Sequence, residues 1–536
     1  MLRSVRRGAA LVAVPTLALA ALAATPGTAS AAGTDPVAAD SAATWLTSQL
    51  SSGIVHNDQY DFDDLGLSAD VALGLHRIGG HDATVSAIAD AIEPRAHDEW
   101  YTSTYEGQTT LYAGSLAKAA VLAQAAGSST ADFGGHDLIA ELESRVGSTA
   151  PINGRVVDEN NEYGDTNAFG QAYAAQALVA ADSPKAGAVT NYLLEQQCAA
   201  GWFRLDFPSR SSEIQTCEGD ATSQPDTDAT AIAVLALTSQ SADVDVAEKL
   251  ALAKSWLESS QKADGSFGGG PSTEAANANS TGLAGTALAA LGDTSAAAKA
   301  AVWVRAHQVT NAGSCTTYAA ADTGSIAYDD TALSEVDTTP IAAETADQFR
   351  RATAQALPVL QWAPAGPGVS ALFTAEYVKA GTKPRVGVVG AAPGETLCAA
   401  AGTQKVARVA DANGEAQFPI ALGAKTATTR VTISTAGGVA DTATIKALGA
   451  KKLPIKLKAK VRKGTTQTVR VTGLAPGETV RVKLLGKTRS GQATRKGVFV
   501  ASAKATGKYG KPGTFKVTVV GEFANRKGSK TFKVVR

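Results

Sequence analysis

The chain has 536 residues, of which 44% are hydrophobic and 18% are charged, and its 49 Lys and Arg residues nearly balance its 50 Asp and Glu residues. Such a length corresponds to about two to four domains. Beyond residue 31, no stretch reaches the roughly 18 apolar residues that a membrane helix needs, which excludes a transmembrane segment. The charge is unevenly divided, because residues 451–536 hold 23 Lys and Arg against only Glu478 and Glu522, a balance of +21.

The first 31 residues have the layout of a cleavable signal peptide. Arg3, Arg6 and Arg7 precede an apolar run over residues 9–24, and a small-residue cleavage site follows at residues 29–31. We expect the mature chain to begin near Ala32 and to be secreted, either free outside the cell or held non-covalently on the cell wall. The Arg6-Arg7 pair leaves a twin-arginine export signal as an open alternative.

Residues 38–362 repeat a helical hairpin six times. Amphipathic helices, with apolar residues three and four apart, are predicted at 41–50, 82–92, 137–146, 185–197, 246–260 and 296–308. Alanine-rich helices follow polar strings that begin at Asp61, Tyr105, Glu162, Gln224, Glu274 and Asp337. Helices that are apolar nearly all round suit an inner ring packed on both sides. Six stacked hairpins therefore predict an all-α (α/α)6 barrel, or toroid.

A Gln-x-x-x-Gly turn recurs at Gln49/Gly53, Gln197/Gly201 and Gln261/Gly265. We expect the glycine to adopt a positive φ that ends the outer helix. Phe203 and Phe267 follow two of these turns and are expected to fill the space between hairpins. The motif indicates a structural contact between repeats and not a functional site.

Export permits disulfide bonds among the four cysteines of the chain. Cys198 and Cys217 lie in one repeat, and a bond between them would close a short loop and stabilise the fold by about 3 kcal/mol. Cys315 and Cys398 lie in different predicted domains, and the sequence does not pair them.

Two segments resemble the terpene cyclase and protein prenyltransferase superfamily. The turn from Gln261 to Phe267 is similar to its repeat motif, and residues 225–237 resemble the inner helix that carries the acid motif of squalene cyclases. The resemblance spans about residues 38–362 and implies the same toroid. In the Asp-x-Asp-Asp motif of those cyclases the middle acid protonates a polyene. The resemblance places Asp228 at that acid, and Ala229 stands where the last Asp is expected.

Each activity of the superfamily lacks a residue or an element in this chain. The chain has the length for one barrel, whereas a squalene cyclase resembles two barrels that enclose the site between them. No Cys of this chain matches the zinc ligands of prenyltransferases. Residues 216–220 do not match the Gly-Cys-Gly-Glu-Gln thioester of complement-type barrels. An Asp at the start of a helix is also an ordinary N-cap. We therefore interpret Asp226 and Asp228 first as caps, and acid catalysis stays open.

The polar residues that open the inner helices are expected to converge at one end of the barrel. The candidate ligand-binding residues are Asp64, Tyr105, Glu106, Asp165, Asn167, Gln171, Asn277, Asn279 and Glu344, and the candidate catalytic residues are Asp226 and Asp228. Such a mouth suits a hydroxyl-rich or cationic ligand, and two carboxylates flanking a glycosidic bond suffice for hydrolysis. The alternative is that these residues only cap helices. No cofactor is predicted, and no metal site, since Cys-x-x-Cys and His-x-x-x-His spacings are absent.

Two strand-rich modules are predicted at residues 370–450 and 454–536. Residues 390–397 match residues 473–480, and Gly414 matches Gly497. Pro-Gly turns between alternating Val and Thr predict two β-sandwiches, and these resemble the immunoglobulin-like modules of exported bacterial proteins. The residues between the modules, 450–454, are predicted to be a linker.

A module that carries +21 is expected to bind a polyanion, such as an anionic cell-wall polymer or glycan, and no specific nucleic acid. The sequence thus favours an envelope-associated protein that binds a polar small molecule at the barrel mouth and wall polymer at its C-terminal module. One alternative is an enzyme of the terpene cyclase-like or glycan-processing type that uses mouth carboxylates. Another is a capture protein for a cofactor, because exported cobalamin binders resemble a barrel of this kind joined to a β domain.

Overall fold

The computed structural model describes residues 33–161, 165–336 and 339–536, so the predicted signal peptide lies outside the described residues. The α-helices, in chain order, are α1 (Val37–Ser48), α2 (Leu65–Ile78), α3 (Asp82–Ile92), α4 (Ala113–Ala126), α5 (Leu138–Ser144), α6 (Ala168–Ala180), α7 (Ala186–Glu195), α8 (Thr227–Leu237), α9 (Val244–Ser260), α10 (Ala278–Ala290), α11 (Thr294–Ala306), α12 (Asp330–Glu335) and α13 (Ala343–Ala356). Short 3₁₀ or π turns lie at Glu93–Arg95, His97–Tyr101, Thr238–Gln240, Leu357–Trp362 and Gly507–Gly510.

Six helices form a closed inner ring. Helix α2 packs on α4, α4 on α6, α6 on α8, α8 on α10 and α10 on α13, and α13 returns to α2. The helices α1, α3, α5, α7, α9 and α11 lie outside this ring, and each contacts one or two of its members. The helical, toroidal character of the N-terminal region, predicted from the hairpin repeat, is confirmed.

Small side chains allow the inner helices to approach closely. A Cβ added at Gly74 of α2 would lie 2.7 Å from the carbonyl oxygen of Ala354 in α13. One added at Gly282 of α10 would lie 2.3 Å from the Cα of Ala356. Larger residues at these contacts would force the helices apart, so the alanine- and glycine-rich composition sets the width of the ring.

The recurring Gln side chains join adjacent repeats. Gln197 Nε2 donates to the carbonyl oxygens of Gly201 and of Lys249 in the next outer helix, each at 2.8 Å. Gln261 makes the equivalent pair of bonds. The φ angles of Gly201 and Gly265 are +100° and +93°, which confirms the predicted left-handed glycines.

A further copy lies at Gln308, and the predicted copy at Gln49 has the left-handed glycine, Gly53 at a φ of +86°, but a different side-chain bond. Gln308 bonds the carbonyls of Gly324 and Ala38 and so closes the ring, a copy hidden in the sequence because its glycine lies 16 residues away. At Gln49 the side-chain oxygen instead accepts a bond from Arg350. The structural interpretation of the motif therefore holds at Gln308 as well, whereas Gln49 binds a side chain.

Strands are few in the helical region and predominate after it. Those of the helical region are β1 (Leu50–Ser51), β2 (Ile54–Asn57), β3 (Phe62–Asp64), β4 (Thr102–Tyr105) and β5 (Gln108–Leu111). The first β unit contains β6 (Ser370–Leu372), β7 (Val378–Lys379), β8 (Arg385–Val389), β9 (Thr396–Ala401), β10 (Gln404–Val409), β11 (Ala416–Pro419), β12 (Ala427–Thr435) and β13 (Gly438–Leu448). The second contains β14 (Lys451–Lys452), β15 (Ile455–Leu457), β16 (Lys460–Arg462), β17 (Thr466–Val471), β18 (Thr479–Leu484), β19 (Lys487–Gln492), β20 (Phe499–Lys504), β21 (Gly513–Val520) and β22 (Arg526–Val535).

Each β unit consists of two sheets that enclose one apolar core. In the first unit the sheet β10-β9-β12-β13-β7 faces the sheet β11-β8-β6, and Val386 and Ile433 from opposite sheets share a core. In the second unit the sheet β14-β22-β21-β18-β19, with β16 paired to β22, faces β15-β17-β20. The residues predicted to be a linker are partly structured, because Lys451 and Lys452 pair with β22 and so continue its sheet.

The sequence repeat between the two β units has matching conformations. Gly394 and Gly477 of the Pro-Gly turns have φ angles of +80° and +76°. Glu395 accepts a bond from the backbone N–H three residues earlier, and Glu478 does the same. The alignment between the units thus identifies equivalent turns.

Both cysteine pairs are bonded. The predicted bond between Cys198 and Cys217 is confirmed. Cys315 and Cys398, which the sequence did not pair, are also bonded and tie the helical region to β9 of the first β unit. Beside this bond, Arg305 of α11 donates to the carbonyls of Pro364 and Pro393. No helix within the described part of the chain is long and apolar enough to cross a bilayer.

Candidate ligand-binding site

The repeats share a register that determines which side chains face the axis of the ring. Hydroxyls of Ser68, Thr230, Thr281 and Thr353 each accept a bond from a backbone N–H of the preceding turn, and Gln171 does so with its side-chain oxygen. The residues two positions earlier in the chain are Gly66, Phe169, Asp228, Asn279 and Arg351, and all five line one cavity. We call it the mouth cavity.

The mouth cavity has a volume of about 610 Å³ and lies at the end of the ring where α2, α4, α6, α8 and α10 begin. Its polar lining combines carboxylates, cations and amides: Asp64, Asp70, Asp158, Asp165, Asp228, Lys118, Arg351, Asn167, Asn279 and Gln355. Its aromatic lining is Trp100, Tyr112, Phe169 and Tyr173. This mixture of charged, amide and aromatic groups is suited to a polar ligand with several hydroxyls.

The two candidate catalytic carboxylates have different roles. Asp226 is the N-cap of α8, and its Oδ1 accepts a bond from the N–H of Ala229 at 2.8 Å. Asp228 does not cap the helix, so the capping interpretation is corrected for this residue. Its Oδ1 is buried and has no hydrogen-bond partner among the described residues. Burial raises the pKa of Asp228 to about 6, an effect that the nearby Ser280 hydroxyl opposes and the charge of Asp226 reinforces.

Two other carboxylates of the cavity are neutralised by cations. Asp64 caps α2 through Leu67 and pairs with Arg351 at 2.6 Å. Asp70 pairs with Lys118 at 2.5 Å. Burial lowers the pKa of Lys118, but the charge of Asp70 and its hydrogen bond, together with the nearby Tyr173 and Asp64, outweigh burial, and the pKa is raised. These two ion pairs link α2 to α13 and to α4 across the mouth.

Asp165 lies at the rim in a network of arginines. Its carboxylate accepts bonds from Arg155 at 2.8 Å and from Arg210 at 2.7 Å. Burial raises its pKa, but bonds from Arg210 and from the backbone of Asp158, together with the charge of Arg155, lower it more. Asp165 is therefore held ionised, whereas Asp228 in the same cavity keeps its proton to a higher pH than an ordinary carboxyl group.

Hydrogen bonds orient the amides of the cavity. Asn279 donates to Gln355 Oε1 at 2.7 Å, and its own side-chain oxygen is buried without a partner among the described residues. Asn167 caps α6 by accepting from the N–H of Phe169. Asn279 and Asp228 thus present two buried acceptors that a donor on a ligand could satisfy.

Five of the predicted ligand-binding residues lie away from the mouth cavity. Gln171 and Asn277 are buried structural groups, the first bonded to three backbone groups and the second capping α10. Tyr105 and Glu106 lie at the turn between β4 and β5, where Tyr105 is exposed, because α4 begins only at residue 113. Glu344 is exposed in the first turn of α13, which begins two turns before the level of the cavity.

The residues that the sequence did not single out are mainly cations and a glycine run. Lys118 and Arg351 occur in the middle of helices, where no motif marks them. The loop at residues 268–270 is close to both aspartates: a Cβ added at Gly270 would lie 2.1 Å from Asp226 Oδ2, and one at Gly269 would lie 3.1 Å from Asp228 Oδ2. In the sequence, the three consecutive glycines before α10 indicate a loop whose backbone can lie close to other groups, here the two aspartates.

In the part of the chain that the structure describes, no group of three or more His, Cys, Asp or Glu side chains is arranged to hold a metal ion. Asp64, Asp70 and Asp165 of the mouth are paired with Arg351, with Lys118, and with Arg155 and Arg210, respectively. The geometry therefore offers hydrogen-bonding groups and one protonatable acid.

The second β unit presents a basic face. Arg481, Lys483, Lys516, Lys527 and Lys533 are exposed and alternate with Thr, Ser and Val on one side of β18, β21 and β22. Both acidic residues of the unit are engaged in bonds. Glu478 is fully buried and bonded twice by Arg526 at 2.6 Å, and Glu522 accepts from the backbone of Thr479. No carboxylate of the unit's described residues therefore neutralises this face.

No family model and no curated protein matches the chain. Among solved structures, the unliganded type II terpene cyclase MstE from Scytonema is similar at a TM-score of 0.42 and 16% identity, over 61% of this chain and 96% of the cyclase. A protein from Actinoplanes reaches a TM-score of 0.42 and 18% identity over 61% and 98%. An inactive variant of an α-1,6-mannanase from Salegentibacter, bound to α-1,6-mannotriose, has a TM-score of 0.39 and 11% identity, over 60% of this chain and 99% of the mannanase. Similarities at this level do not indicate an activity for this chain.

Proposed function

We propose that this protein is exported, binds a hydroxyl-rich ligand such as an oligosaccharide in its mouth cavity, and is held at the cell envelope by its basic C-terminal unit. The first 31 residues would direct export, residues 38–362 would form the (α/α)6 barrel, and the modules at 370–450 and 454–536 would be immunoglobulin-like. One observation carries the ligand proposal: Asp228 and Asn279 present buried, unpartnered acceptors in a cavity that also has an aromatic lining.

Calorimetric titration of the mature chain with neutral gluco-, manno- and N-acetylglucosamine oligosaccharides tests the ligand proposal. We expect saturable binding of one series, and we expect Gln355→Ala to weaken it about tenfold. Without Gln355, the Asn279 side chain is no longer held in position, and a hydrogen bond of about 1.5 kcal/mol is lost. Glu344→Gln is the matched control, since Glu344 is exposed outside the cavity. Failure of every series to bind, or equal affinity of the Gln355→Ala variant, would refute the proposal.

Attachment to an anionic wall polymer is supported by the basic face of the second β unit. Exposed charges are screened by salt, so binding to isolated teichoic polymer should weaken steeply as salt rises. Replacing Lys483, Lys516 and Lys527 with Gln should weaken binding more than replacing Lys456, Arg470 and Lys504, the exposed basic residues of the opposite sheet. Binding that is insensitive to salt would exclude this mode of attachment.

An enzyme is the second candidate, and the raised pKa of Asp228 is the observation that favours it. A carboxyl group with a pKa of about 6 is partly protonated near neutral pH and is suited to general-acid chemistry on a glycan or on a terpene-like substrate. If the protein is a glycosidase, Asp228→Asn should abolish the release of reducing sugar from wall glycans while the variant remains folded. Unchanged release in that variant would exclude Asp228 as the acid.

A further inference from the structure

Two short hairpins stand at the rim of the mouth cavity. The first is formed by β2 and β3 and leads into α2, and the second is formed by β4 and β5 and precedes α4. Their bases meet at Gly66, because a Cβ added there would lie 3.4 Å from both Asp64 Oδ1 and Trp100 Nε1, which belong to the cavity lining. The hairpins are therefore neighbours and adjoin the cavity directly.

The exposed aromatic side chains of the described residues are concentrated on these hairpins. Tyr60, Phe62 and Tyr105 are 69%, 45% and 77% exposed, and every other Phe, Trp and Tyr that the structure describes is buried or half-buried. Single exposed apolar residues are ordinary on protein surfaces, but aromatic rings grouped beside a cavity mark a binding surface. We call Tyr60, Phe62 and Tyr105 the aromatic collar.

The strand register turns the collar toward the cavity. Side chains two residues apart lie on the same face of a strand. Phe62 therefore shares a face with Asp64, which lines the cavity. Tyr105 shares a face with Ser103, whose hydroxyl lies 3.1 Å from that of the cavity-lining Tyr112. Both rings thus lie on strand faces that continue the cavity wall.

The charges around the collar select the chemistry of its ligand. Residues 54–64 and 102–111 contain no Lys or Arg, and their one basic residue, His56, is bonded to Asp63. Asp61 and Glu106 are exposed at the two turns. These carboxylates repel a polyanion or an anionic lipid surface, and they can accept hydrogen bonds from hydroxyl groups. Aromatic faces beside carboxylate acceptors suit neutral sugar rings, which have apolar C–H faces and hydroxyl groups at their edges.

We propose that the aromatic collar binds further sugar units of a neutral polysaccharide whose end occupies the mouth cavity. This inference rests on the function proposed for that cavity and specifies the ligand as a polymer. Glu106 and Gly107, with φ angles of +50° and +80°, form a two-residue turn that fixes the end of the second hairpin. The hydroxyls of Thr104 and Thr109 are bonded across this hairpin at 2.9 Å. A platform held in this way loses little conformational freedom when it binds a ligand.

Titration of the mature protein with neutral oligosaccharides of increasing length tests the proposal. In whichever of the gluco-, manno- and N-acetylglucosamine series binds, the hexasaccharide should bind several-fold more tightly than the disaccharide. Tyr105→Ala and Phe62→Ala should each weaken hexasaccharide binding about fivefold, and disaccharide binding less, because each removes a stacking contact outside the cavity. Val439→Ala, at an exposed apolar residue of the first β unit, is the matched control.

The outcomes separate the collar from the cavity. If no oligosaccharide of any length binds, the cavity proposal and the collar proposal both fail. If the disaccharide binds and the hexasaccharide binds no more tightly, the collar alone is refuted. Hexasaccharide binding at native strength by both variants, or equal weakening at both lengths, refutes it as well, provided that the variants keep the native circular dichroism. Binding of the native protein to phosphatidylcholine vesicles that is lost in Tyr105→Ala would assign the collar to a lipid surface and would also overturn the proposal.

Discussion

At the scale of single residues, the two aspartates at the start of α8 show how one short motif serves two physical roles. Asp226 is two positions nearer the helix start and satisfies a free backbone N–H. Asp228 faces the axis, where no donor meets its buried Oδ1 among the described residues. A sequence shows that both are acidic and near a helix start, but only the register of the helix decides which one points into the cavity.

The raised pKa of Asp228 makes a prediction about stability. The folded state retains the proton up to about pH 6, whereas the unfolded chain releases it near the ordinary value of 3.8. Stability from this group is therefore complete below the ordinary value and is lost as pH rises through about 6, by at most about 3 kcal/mol. Asp228→Asn should remove this loss, so the variant should gain stability relative to the native chain between these pH values.

Urea unfolding of both proteins across this pH range measures the difference. Glu344→Gln, which alters an exposed carboxylate, is the control and should follow the native chain. If Asp228→Asn and the native chain show the same dependence on pH, burial does not hold the proton on Asp228.

At the scale of elements, the repeat allowed the sequence to predict where the helices lie but not which of their residues face the cavity. Hydrophobic periodicity located the hairpins, and α3 has the predicted bounds, residues 82–92. Glu344 was predicted to lie at the mouth because it is in the first turn of α13. The hydroxyl that is equivalent to those of the other ring helices belongs to Thr353, nine residues later, so Glu344 lies outside the cavity. The same alignment would have identified Arg351, but that bond joins residues 27 apart in sequence and is visible only in three dimensions.

The left-handed glycine in the turn that follows an outer helix gives a prediction at this scale. Gly265 has a φ of +93°, and a Cβ there would lie 2.4 Å from the carbonyl oxygen of Lys299. Gly265→Ala should therefore destabilise the helical region by at least about 2 kcal/mol. Gly187 in α7 has open space around it, so Gly187→Ala should be neutral or stabilising by about 0.5–1 kcal/mol. Thermal unfolding compares the two, and equal effects would contradict the structural role of the turn.

At the scale of the whole molecule, the regions differ in charge, and a disulfide bond joins two of them. The helical region carries the acidic cavity, and the last β unit carries the basic face. The bond between Cys315 and Cys398, separated by 83 residues, fastens the ring to the first β unit beside the contacts of Arg305. Composition predicted the division of charge, whereas this bond required the distance between two regions that are remote in sequence.

Removing the bond between the regions should loosen their junction. In a variant with Cys315→Ser and Cys398→Ser, limited proteolysis around residues 364–369 should be several-fold faster, because the chain there is no longer closed into a loop. A variant with Cys198→Ser and Cys217→Ser loses a bond inside the helical region and should leave the junction unchanged. Equal cleavage in all three proteins would show that the junction is rigid without the bond.

The mouth cavity encloses Asp228 as a buried acid whose Oδ1 has no partner among the described residues. The most direct test measures the pKa of the Asp228 carboxyl group. NMR records the chemical shift of its carboxyl carbon in the mature protein as pH changes, and comparison with Asp228→Asn assigns the signal. Burial of Asp228 predicts a value of about 6 that shifts when a cavity ligand binds. A value near 3.8, unchanged by any oligosaccharide, would mean that the carboxylate is solvated or paired and would contradict its burial.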